Sequence, residues 1–317
     1  MQMLAAFFTC VFLLLSAIPG AVMDSRLNYP ALQARWRILA GGLWGHQGVA
    51  YDIIIIAGQS NAEGSGFGPV DEEFVPDERI QMMPRKANLI GGYTIQKAAE
   101  KVGSDGRMIG NFGLSFAQKY IESGQLAQGR KVLILQAAVG GTGFSDRHWG
   151  LQDDHYNNML RMIETALALN PENEVKALLW HQGETDVALK ASRQTHAANL
   201  QALVWGVRTK LGLPGLPFIA ADFVQRWIQN IEAVQASPES PDESPEIRDT
   251  RLYTLADVQA AMRDVCGSLG SAAFMETDGL RSNIEDDPGW PDTIHFSRNA
   301  LHLLGARYFG AYLDIVG

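Results

Sequence analysis

The chain has 317 residues, 46% of them apolar, enough for one large core, since domains commonly run to about 100–200 residues and α/β folds to more. Its 35 acidic and 26 basic residues leave a formal charge of −9, and no cluster of Lys or Arg could line a phosphate backbone, so nucleic acid is not an expected partner. The cysteines, Cys10 and Cys266, are too few for a disulfide framework.

Residues 1–22 read as a secretory signal peptide: no charged side chain precedes Asp24, an apolar run extends from Leu4 to Ile18, and Pro19, Gly20 and Ala21 follow. The run is short for a membrane span, which needs about 20 apolar residues. No Lys or Arg stands ahead of it, which leaves an uncleaved anchor as the alternative. The expected location is secreted, or periplasmic in a bacterium, without stable membrane association after cleavage. Cys10 would leave with the segment, and Cys266 reads as a buried packing residue. Residues 23–50 are then an N-terminal extension, and residues 51–317 one domain.

Five short apolar runs, at 52–57, 131–137, 175–180, 216–220 and 271–275, read as strands buried on both faces. Helical spacing occupies 113–124, 156–168, 191–211, 255–269 and 299–315, with stop signals at Gly124, Asn170-Pro171 and Gly212 with Pro214. Strands alternating with helices predict an α/β fold around a doubly wound, central parallel sheet of about five strands. Residues 237–250, rich in Pro and acidic side chains, read as an exposed loop. The stretches 70–92 and 225–251 read as loops that shape a pocket.

In open parallel sheets, ligands bind beyond the carboxyl ends of the strands, and polar, glycine-rich stretches follow the first three strands here. The first is Gly58-Gln59-Ser60-Asn61-Ala62-Glu63-Gly64. A Ser on a strand-to-helix turn exposes its hydroxyl, and the N–H groups of the turn can hold an oxyanion; a plain helix cap is the alternative. The Gly-Lys-Ser/Thr ending of a phosphate loop is missing, and Ala62 occupies the second glycine of an α/β-hydrolase elbow. The second stretch, Val139-Gly140-Gly141-Thr142-Gly143-Phe144, could bring N–H groups to a substrate or form a simple tight turn. The third is Trp180-His181-Gln182-Gly183-Glu184-Thr185-Asp186, in which Gln182 could donate to an oxyanion while Glu184 and Asp186 act as scaffold.

Near the C-terminus, Asp292 and His295 precede an apolar helix. Residues three apart in a helical turn share a face, so Asp292 would reach one imidazole nitrogen and leave the other for a substrate. A packed or capping His is the plain alternative; a nucleophile candidate elsewhere favours catalysis. His148 and His155 could contact substrate, His181 could support its loop, and Trp149 is either a sugar platform or a core residue. No zinc or calcium spacing is present, so no cofactor is expected.

Gly58-Gln59-Ser60-Asn61, Gly140-Gly141-Thr142, Gln182-Gly183-Glu184-x-Asp186 and Asp292-x-x-His295 resemble, in order, the blocks of the sialate O-acetylesterase and acetylxylan esterase group within the SGNH hydrolases. The resemblance spans Tyr51 to the C-terminus and implies a flavodoxin-like three-layer sandwich. It implies Ser60 as nucleophile, His295 as base and acid, Asp292 as its orienting carboxylate, and an oxyanion hole from Ser60, Gly141 and Gln182. Gln59, Asn61, Glu184 and Asp186 are its supporting residues. Ala62 stands where many relatives have Met, and Gln182 where the wider superfamily has Asn. The implied substrate is an acetylated carbohydrate. The rival readings are a noncatalytic carbohydrate-binding protein on the same fold and a lipid or aryl esterase.

Overall fold

The computed structural model describes residues 29–317. The proposed signal peptide, 1–22, and the start of the extension lie outside the described residues. The chain begins with α1 (Tyr29–Gly41) and a 3-10 turn (Leu43–His46), then enters β1 (Tyr51–Gly58) and α2 (Ser60–Glu63). Next come β2 (Ile80–Pro84), β3 (Gln96–Lys97), β4 (Lys101–Val102), β5 (Met108–Ile109), α3 (Phe112–Glu122), β6 (Lys131–Gln136), α4 (Asp154–Leu169) and β7 (Glu174–His181). The second half adds α5 (Glu184–Ala188), α6 (Arg193–Leu211), β8 (Phe218–Ala221), α7 (Gln225–Ala236), α8 (Pro245–Arg251) and α9 (Leu255–Ser268). It ends in β9 (Ala272–Met275), α10 (Asn283–Asp286) and α11 (Arg298–Val316).

The main sheet has seven strands in the order β3-β2-β6-β1-β7-β8-β9, all parallel except β3, which pairs antiparallel with β2. The doubly wound α/β reading is therefore correct, with two more strands than expected. All eight residues of β1 are buried, because helices cover both faces of its continuous Ile53–Ile56 run. The one charge in that strand, Asp52, is neutralised by Arg130 at 2.6 Å and accepts from Tyr120 Oη at 2.7 Å.

Three departures from the sequence reading have local causes. β2 lies inside the expected loop 70–92, where Ile80, Met82 and Met83 are buried beside β6. Pro84 closes β2 on its antiparallel edge, where a missing N–H is tolerated. The expected loop 237–250 contains the start of α8, capped by Ser244 with Pro245 at its first position, a combination that favours helix initiation. Residues 23–50 contain α1, which packs on the body: Ala34 and Ile38 are buried and Arg37 bonds Thr165 at 2.7 Å and Glu164 at 3.0 Å in α4.

The central strands are β6, β1 and β7. Register pairs Gly58 with His181 and Ile56 with Gln136, so the three strands end at nearly the same level and their loops converge. Gly58 takes φ 125°, and a side chain there would strike the His181 carbonyl, so only glycine lets β1 turn out towards Ser60 against β7.

Candidate active site

Ser60, half-buried at the start of α2, places Oγ 2.8 Å from His295 Nε2. His295 Nδ1 lies 2.7 Å from Asp292 Oδ2. The three expected triad residues, far apart in sequence, therefore form one hydrogen-bonded chain. Asp292 and His295 are not in a helical turn, as the spacing had suggested, but in an irregular loop. Asp292 Oδ1 accepts from the N–H groups of Ile294 and His295, at 3.1 and 3.2 Å, and so folds the loop around its own carboxylate.

Asn283, which no sequence motif marked, donates to Asp292 Oδ2 at 2.9 Å and accepts from Phe67 N at 2.7 Å. Burial works against ionisation of Asp292, but the bonds and charge of His295 together with the Asn283 amide outweigh it and hold the carboxyl below its ordinary value. The charged form is thus the one the loop is built for.

The glycine loop after β6 passes directly over Ser60. A side chain at Gly140 would come within 3.6 Å of Ser60 Cβ, and Gly141, exposed at φ 69°, follows at the rim. The N–H groups of Ser60 and Gly141 find no acceptor among the described residues, which leaves both for a ligand oxygen. The loop is held at both ends by carboxylates. Glu63, also missed in the sequence, accepts from Gly140 N at 2.8 Å and pairs with Arg85 at 3.1 Å. Asp186, fully buried, accepts from Phe144 N at 3.0 Å and Ser145 N at 2.7 Å. A side chain at Gly143 would come within 2.7 Å of Asp186 Oδ2, so that glycine lets the loop close on its anchor.

Gln182 stands behind this rim. Its side chain, expected as an oxyanion donor, is fully buried, and its Nε2 donates to Asp186 at 2.7 Å, a bond that supports the loop. Gln59 Oε1 accepts from Thr185 N at 3.2 Å and joins the β1 and β7 loops. Asn61 donates to Glu184 at 2.9 Å, and burial pushes that carboxyl up. Trp149 is fully buried and donates to Thr142 Oγ1 at 2.9 Å, which makes it core and not a sugar platform. His148 and His155 stack with centroids 4.9 Å apart below the glycine loop. His181 is fully buried against Phe296 and Tyr308. Among the described residues, no group of three or more His, Cys, Asp or Glu is arranged to hold a metal ion.

The parallel sheet thus delivers a serine, an imidazole with its carboxylate and a glycine loop to one edge, a constellation chemically suited to ester hydrolysis. Residues 50–314 match the family described as carbohydrate esterase, sialic acid-specific acetylesterase, and the chain belongs to that family. It is 31% identical over 86 residues to a probable carbohydrate esterase of Arabidopsis thaliana, a match covering 27% of this chain and only 32% of that relative's length. It is 23% identical over 230 residues to a probable 9-O-acetyl-N-acetylneuraminic acid deacetylase of Escherichia coli, covering 57% of this chain and 69% of that one. The crystal structure of NanS superposes with a TM-score of 0.62 at 19% identity over 84% of this chain and 97% of that one, a likeness of fold.

Proposed function

We propose that the protein removes O-acetyl groups from a sugar by two-step acyl transfer through Ser60. The observation that carries this reading is the unbroken chain from Ser60 Oγ through His295 to Asp292, at 2.8 and 2.7 Å. His295 Nε2 takes the hydroxyl proton as Oγ bonds to the acetyl carbonyl carbon, and the oxyanion faces the N–H groups of Ser60 and Gly141. The imidazolium then protonates the sugar oxygen as its bond to the acetyl carbon breaks. Water, deprotonated by His295, attacks the acetyl-Ser60, releases acetate and restores the hydroxyl. Asp292 fixes the imidazole tautomer and stabilises its cation.

A sialate-type substrate is favoured over acetylxylan by the family's description and by the name of the Escherichia coli relative. A noncatalytic binding protein would have no use for a serine hydroxyl already bonded to a carboxylate-oriented imidazole. Free acetate released from O-acetylated sialate and from acetylxylan tests the proposal; release from the sialate that disappears in Ser60→Ala is expected. Release that survives the substitution would refute the serine route, and a preference for acetylxylan would overturn the substrate assignment. Export, read from residues 1–22, completes the proposal.

A further inference from the structure

We infer that the face built by α1 and the turn at 88–92 rests on an anionic membrane surface. Leu32, Trp36 and Leu39 form an exposed stripe at i, i+4 and i+7, turned away from the buried Ala34 and Ile38. Beside it Leu89 is fully exposed and Ile90 is 59% exposed. The Trp36 indole donates to the Ile90 carbonyl at 3.1 Å, so helix and turn form one continuous surface. Asn88 shapes the turn: its Oδ1 accepts from Ile90 N and Gly92 N, and its Nδ2 donates to Ala40 O at 2.7 Å. The two tip residues are thus held outward by structure, and a cluster of this kind marks an interaction site.

The occupant follows from charge. Arg35 is exposed on α1 between Leu32 and Leu39, Lys86 is exposed two residues before Asn88, and Arg161 lines a groove of about 420 Å³ with Trp36 and Ile90. Among the described residues none of these three cations makes an ion pair, although the chain as a whole carries −9. A cationic fringe around an apolar centre with an indole at its border is the pattern that binds anionic headgroups. A second copy is disfavoured because self-pairing would bring these like charges together. The contact is peripheral and reversible, and it adds to the secreted reading a surface that the sequence did not reveal.

The test uses the full chain with C10S and L89C, labelled at position 89 with a polarity-sensitive fluorophore; Cys266 stays unlabelled because burial pushes its thiol up to about 12. A control carries the label at L252C, an exposed site in the short turn between α8 and α9. Vesicles of phosphatidylcholine with phosphatidylglycerol should raise and blue-shift the emission at 89 several-fold more than at 252. Vesicles of phosphatidylcholine alone should do less, and K86E with R35E should weaken the response. No change at 89, an equal change at 252, or a change that needs only higher protein concentration would overturn the proposal, the last by showing a second copy in place of lipid. The readout involves no hydrolysis, so it stands or falls apart from the esterase reading.

Discussion

Asn61 grips the chain on both sides of His295: its Nδ2 donates to the Ile294 carbonyl at 3.1 Å and its Oδ1 accepts from Phe296 N at 3.1 Å. The residue next to the nucleophile therefore sets the height of the base. Asn61→Ala removes both ties while leaving the triad side chains in place. A loss of roughly 10- to 100-fold in kcat towards an aryl acetate is expected, with little change in KM, because a small displacement of a catalytic group costs about that much. An unchanged kcat would show that the loop holds His295 unaided.

Asp186 serves the other side of the site. It anchors the glycine loop through Phe144 N and Ser145 N and also holds Gln182, all in a fully buried position. Asp186→Ala leaves these donors unsatisfied and should cost about 3 kcal/mol or more in unfolding free energy. Asp186→Asn should rescue little, since its amide turns a donor towards donors. Urea unfolding of both variants, with kcat measured on the folded fraction, checks this.

The Asn283 amide favours the charged form of Asp292. Removing it raises the carboxyl towards its ordinary value, so protonation of Asp292 inactivates the site at higher pH. In Asn283→Ala the acid limb of the kcat/KM profile should therefore move up in pH, and a limb that stays in place or moves down would count against this.

Burial lowers His181 from 6.5 to about 3. Between those values the unfolded chain binds a proton that the folded chain refuses, so stability is complete above 6.5 and is lost as pH falls through the window. Each pH unit in it is worth roughly 1.4 kcal/mol for a single group. His181→Leu should shrink the stability difference between about pH 7 and about pH 5 by roughly 1–2 kcal/mol. An unchanged difference would assign the acid sensitivity to other groups.

Much of this was legible in the sequence where pattern and chemistry coincide. The Ile53–Ile56 run is continuous because helices cover both faces of β1, and the polar strings after β1, β6 and β7 fall where the strands end together. β2 escaped notice because two of its three buried residues are methionines, which carry no β-branched signal, and it ends in proline. The Asp292–His295 spacing was readable, but its conformation was not, since the loop is closed by the Asp292 carboxylate and not by helix periodicity. Asn283 and Glu63 act across long sequence separations, a relationship that no local spacing encodes.

The most direct measurement is the intact mass, with peptide mapping, of the purified protein after exposure to an organophosphonate serine probe. The expected result is a single adduct on Ser60, absent in Ser60→Ala and slowed by orders of magnitude in His295→Ala. An active protein that takes no adduct at Ser60, or takes it on another serine, would contradict the assignment of this hydroxyl as the nucleophile.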